Sequence, residues 1–160
     1  MSDENNDRMV PRGTTDNAGD WPATLAYWRR FPAEDFDDER REEISRCVVR
    51  ISSTIEDWRA AIRGDAAAAV NLVLRIRTPH EITARLDLAM TVLANCAFDD
   101  PAAALVLAHK LNVMPLDRRE RARLATSWLV HNVWLESRRR RSSARRSVDF
   151  RGPNGKGGKP

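Results

Sequence analysis

Asp65-Ala66-Ala67-Ala68-Ala69-Val70 returns 35 residues later as Asp100-Pro101-Ala102-Ala103-Ala104-Leu105. In each copy an aspartate stands where its carboxylate can accept a free backbone N–H, ahead of a run of strong helix formers. The second copy adds Pro101 at the first helical position, where a missing N–H costs nothing. The echo continues downstream: Leu72, Arg75 and Ile76 match Leu107, Lys110 and Leu111. After a one-residue gap Pro79 matches Pro115, Arg85 matches Arg121, Leu88-Ala89 match Leu124-Ala125, and Leu93 matches Leu129. A period of 35 to 36 residues suits two-helix units that cover each other's apolar faces. Alanine-rich segments also match by accident, and two copies do not establish a repeat. With or without shared ancestry, both halves read as helix, Pro-marked turn, helix.

Capping residues sharpen that reading. Asp65 opens a helix running to about Arg77. Leu72 to Arg77 could serve as a strand, but an isolated strand has no partner here. Thr78-Pro79-His80-Glu81 has the form of a capping box and predicts the next helix, with Ile82, Leu86, Ala89, Leu93 and Cys96 on one face. Asp100-Pro101 opens a fourth helix ending near Asn112. Asp117 with Glu120 opens a fifth, whose apolar side is Leu124, Trp128, Leu129 and Leu135.

Upstream, a long first helix is predicted from about Glu34 to Arg63. Glu34, Asp35, Asp37 and Asp38 complement the positive end of its dipole, and Gly64 stops it. Ile44, Val48, Ile51, Ile55, Trp58 and Ile62 alternate at spacings of four and three, a seam of heptads. The seam is flanked by Ser45, Ser52 and Arg59 on one side and Cys47, Thr54 and Ala61 on the other, without the opposed charges of a dimeric coiled coil. Packing within the chain is therefore favoured over a homodimer through this seam. The segment Trp21 to Pro32, with Leu25, Tyr27, Trp28 and Phe31 between prolines, reads as a short helix or an extended strap packed on the body. The expected fold is all-α: about five helices, a long first helix packed on two αα-hairpins, within a single domain over residues 21–136.

The ends differ from this body. Residues 1–20 are polar and acidic, too poor in apolar groups to offset ordering entropy, and are expected to be disordered. Residues 137–160 hold nine Lys/Arg against one acid, Asp149; this segment is +8, and residues 1–136 sum to −4. Arg138, Arg139, Arg140, Arg141, Arg145 and Arg146 lie within nine positions, and Ser, Gly and Asn spacers suggest a mobile, disordered basic tail. The bias of the whole chain, 24 Arg against three Lys, lowers the information in any one Arg run.

Catalytic patterns are absent. His80, His109 and His131 lack metal-site spacing, and the acids between Glu34 and Glu43 fan round a helix, so neither a metal nor a cofactor is expected. His131 beside Trp128 reads as a satisfied imidazole. Cys47 and Cys96 lie on apolar faces and read as small core residues. Gly152 to Lys159 lacks the Lys, strand and helix of a phosphate loop. No secretory signal or membrane-length apolar run is evident, which predicts a cytoplasmic protein without a membrane role.

Two features point to partners. Ala104 to Val113, turning at Met114-Pro115 into Asp117 to Arg123, could be read as a helix-turn-helix, with Arg118, Arg119, Arg121 and Arg123 near the start of its second helix. Against that, Asp117-Arg118 occupies the position that should be apolar. The basic tail would give sequence-independent attraction to DNA or RNA phosphates; its bland counterpart is a solubilising terminus. The expectation is a non-enzymatic regulatory or accessory protein, with a helical body for a protein partner and a tail for nucleic acid. The alternative is a protein-directed adaptor, chaperone or anti-activator acting through an apolar helical face.

Overall fold

The computed structural model describes residues 22–52, 59–77 and 80–149, all of whose regular elements are helical. Two short 3₁₀ helices, Ala23–Arg29 and Ala33–Asp35, precede α1 (Asp38–Ser52), α2 (Arg59–Ile62), α3 (Ala66–Leu74), α4 (Ala84–Ala97), α5 (Pro101–Leu111) and α6 (Arg118–Asp149). The acidic residues 1–20 lie outside the described part.

Asp65 accepts the Ala68 N–H at 3.0 Å and Asp100 accepts that of Ala103 at 2.9 Å, so both echoed aspartates cap helices. Asp117 caps α6 by accepting from the backbone of Arg119 and Glu120. Gly64 has φ +88°, in the left-handed region where glycine carries no side-chain penalty, and the chain reverses there after α2.

Four boundaries depart from expectation, the smallest difference being that α3 ends at Leu74 instead of near Arg77. The first helix opens at Asp38, because Asp37, not Glu34, accepts the Arg40 N–H, and Glu34 belongs to a 3₁₀ turn. Its continuity to Arg63, with Ile55 and Trp58 of the seam, falls outside the described residues. The third predicted helix opens at Ala84, with Thr83 accepting the Leu86 N–H at 3.3 Å. Of the proposed capping box, Thr78 and Pro79 lie outside the described residues, and His80 and Glu81 are non-helical. Ile82 packs on the core before the helix begins, which delays its start. The last helix runs through Ser137 to Asp149, thirteen residues past the boundary expected at Glu136.

α4 is the hub. Every residue from Leu88 to Ala94 is buried, and strap, α1, α3 and α5 all pack on it. A helix without a polar face must sit inside the layers around it. Ile44 and Val48 of the seam are buried within the chain, and Ser45 donates to Asn95 of α4 at 2.7 Å. The strap lies across the body: Trp28 is fully buried, and its indole N–H donates to Asp87 at 2.9 Å. Arg29 grips the same carboxylate with two bonds of 2.9 and 3.0 Å, and Thr91 donates to the Leu25 carbonyl. Phe36, Phe98 and Trp128 form an aromatic cluster with centroids 5.1 to 6.0 Å apart, joining the turn before α1, the α4–α5 turn and α6.

Candidate nucleic-acid interface

α6 is 32 residues long, about 48 Å at 1.5 Å per residue. Its first part is a body helix. Leu124, Ala125, Trp128 and Leu135 are buried against α5 and the aromatic cluster. Ser127 accepts the Ala33 N–H and donates to Glu34, pinning the strap to α6; that hydroxyl bond holds the Glu34 carboxyl below its ordinary range. His131 meets the Phe98 carbonyl at 3.1 Å, lies edge-to-face with Trp128 and stacks on Trp134, and Asn132 donates to the Pro101 carbonyl at 2.7 Å.

Beyond Glu136 every described side chain of α6, from Ser137 to Ala144, is exposed. Arg138, Arg139, Arg140 and Arg141 are all exposed. The helix persists because Arg and Ala are strong helix formers and cations near its C-terminus complement the dipole. Ser137 donates to the Val133 carbonyl, Ser142 to that of Arg138, and Arg141 Nε to that of Ser137. Positions 145 and 146 lie on the same helix. The Arg138 guanidinium sits 4.6 Å from the Trp134 ring centroid, a cation–π contact at the junction of body and projection. Trp134, Arg138, Arg141 and Ser142 line a shallow groove of about 380 Å³.

The four arginines of the expected second helix of a helix-turn-helix do not act as a set. Arg118 and Arg119 are exposed. Arg121 donates to the Met114 carbonyl, tying down the α5–α6 turn, and Arg123 donates to the Arg30 carbonyl and to Glu120.

One feature escaped the sequence. Leu129, assigned there to the apolar side with Leu124 and Trp128, is instead 47% exposed. It joins Val130 (64%), Val133 (58%) and Trp134 (47%) on the outward side of α6. Had Val130 and Val133 been counted with Leu129 and Trp134, the helix would have shown two apolar faces, more than one neighbour can cover.

Groups that could carry chemistry are committed elsewhere. Asp87, in the cleft between strap and α4, is held by Trp28 and Arg29. Glu43 accepts from both Thr24 and Tyr27, and that bond raises the tyrosine's pKa. Burial pushes Cys47 up and Cys96 to about 11, so neither is thiolate at neutral pH. Burial lowers Lys110, whose ammonium donates to the Ile76 carbonyl at 3.0 Å. Among the described residues no group of three His, Cys, Asp or Glu could hold a metal ion, and no helix is long and apolar enough to cross a membrane. Comparison with family models, curated proteins and solved structures returned no match.

Proposed function

We propose that this is a non-enzymatic regulatory or accessory protein whose helical body binds a protein partner and whose Arg-rich C-terminal segment contacts nucleic acid. In this reading the body keeps two αα-hairpins, α3–α4 and α5–α6, with α1 on α4. The observation that supports it best is the placement of Arg138 to Arg141 on a helix that leaves the body, exposed and outside the core's ion pairs. Arginines so placed neutralise phosphates and release counterions, giving affinity that falls steeply with salt. The test is binding to random duplex DNA and RNA at low and moderate salt, with the full chain and a chain ending at Glu136. Leu135 is the last buried residue among those described, so the shortened chain retains the described core. The full chain should bind tightly at low salt and the shortened one weakly; equal affinities would overturn the role of this segment. Sequence-selective binding by the shortened chain would instead favour a helix-turn-helix using Arg118 and Arg119.

A second reading, a protein-directed adaptor, draws on the outward patch Leu129, Val130, Val133 and Trp134. Large apolar side chains clustered on adjacent turns mark interaction surfaces more often than isolated ones do. A homodimer through this patch is one form of it. Val133→Asp would then abolish dimerisation or partner capture in light scattering, without loss of nucleic-acid affinity.

A further inference from the structure

A disordered basic tail and a basic helix are different ligands for a polyanion, and residues 137–149 are helical. A coil can follow any strand of phosphates. A helix holds its arginines at fixed angles and needs a groove that admits it. Successive residues turn by about 100°, so Arg138, Arg139, Arg140 and Arg141 leave the axis on four sides. Arg138, Arg139 and Arg141 thus occupy an arc of about 160° whose middle falls between Arg138 and Ser142, with Arg140 behind it. Such an arc has Arg141 and Arg139 on its two edges, with Arg138 and the small Ser142 side by side in its middle. The B-DNA major groove offers the matching shape: about 12 Å wide, with phosphates along both walls. A-form RNA closes that groove to a helix, and a single strand has no groove.

We infer that residues 137–149 of α6 enter the major groove of duplex DNA as a helix, with Arg139 and Arg141 reaching phosphates on opposite walls and Arg140 turned away. This rests on the nucleic-acid reading above and narrows it to duplex DNA. All the contacts expected are to phosphate, so binding is independent of sequence. The projecting stretch is about 20 Å long, enough to cross the groove.

The experiment uses the full chain and its Ala144→Pro variant with three probes at one salt concentration: a random 20-base-pair DNA duplex, the same sequence as duplex RNA, and single-stranded DNA. Proline at 144 removes the N–H that would bond the carbonyl of residue 140 and breaks the helix without changing charge. The wild-type chain should favour duplex DNA over duplex RNA at least about fivefold, and Ala144→Pro should lose about tenfold on duplex DNA while binding single strands unchanged. Equal binding of DNA and RNA duplexes by wild type, or wild-type affinity in Ala144→Pro, overturns the inference. As a second check, Arg139→Gln and Arg141→Gln should each weaken duplex binding about fivefold and Arg140→Gln no more than about twofold; equal losses at all three are the signature of a coil and also overturn it. Failure of the underlying reading looks different: the chain ending at Glu136 then binds as tightly as the full chain.

Discussion

Between Arg118 and Glu136, α6 turns Leu124, Trp128 and Leu135 into the core and ties itself to the strap through Ser127. Between Ser137 and Asp149 the same helix leaves the core, and its side chains through Ala144 are exposed. One backbone geometry is thus sustained by two kinds of force. The first half is helical because an apolar stripe is covered by α5 and the aromatic cluster. The second half is helical through propensity, local serine and arginine bonds and the dipole, contributions of a few tenths of a kcal/mol each. Substitutions in the first half should therefore act on stability, and those in the second on partners.

Trp128→Ala is the strongest way to break that contrast. It removes a fully buried indole from between Phe36 and Phe98, and should cost about 3–5 kcal/mol in urea unfolding. Trp128→Phe should cost far less, because the indole N–H has no hydrogen-bond partner and its removal costs nothing polar. Nucleic-acid affinity of the folded fraction should be unchanged in both; a parallel loss would join the two halves.

Asp87→Asn comes next, testing whether the strap belongs to the packed region. The change leaves Arg29 without its ion pair and weakens the acceptor for Trp28, at a cost of about 1–3 kcal/mol. Native-state hydrogen exchange should quicken in residues 23–35 and stay unchanged beyond Ser137. A uniform rise along α6 would show that strap and projection are coupled.

Ser127→Ala should cost about 1 kcal/mol near neutral pH through the lost bonds to Ala33 and Glu34. Because Glu34 is depressed in the folded state, its contribution is present above the ordinary carboxylate range and lost as pH falls through its lowered folded value. The gap between wild type and variant should therefore be widest near neutrality and narrow in acid. A gap that grows on acidification contradicts this assignment.

Helix starts were legible where a lone aspartate stood before a helix-forming run, as at Asp65, Asp100 and Asp117, and misplaced at Asp37, which stands among other acids. A further start was misread where two threonines were candidates: Thr83 caps α4, and Ile82 just before it packs on the core. The central position of α4 was visible in principle, since Leu88 to Ala97 contains no charged residue. The projecting helix was missed because Arg and Ser in number suggest a solvated coil. The strong breakers, Gly152 and Pro153, come only after Asp149. No periodicity could show that Arg121 and Arg123 cap carbonyls of the turn and strap, because those contacts join residues far apart in the chain or across a turn.

The most direct measurement is made on one variant, Arg138→Gln, Arg139→Gln, Arg140→Gln and Arg141→Gln combined, by urea unfolding and by salt-dependent DNA binding. Stability should stay within about 0.5 kcal/mol of wild type, and the slope of log affinity against log salt should become shallower by about three. An unchanged slope, or a loss of several kcal/mol in stability, would contradict the division of α6 into a packed half and a binding half.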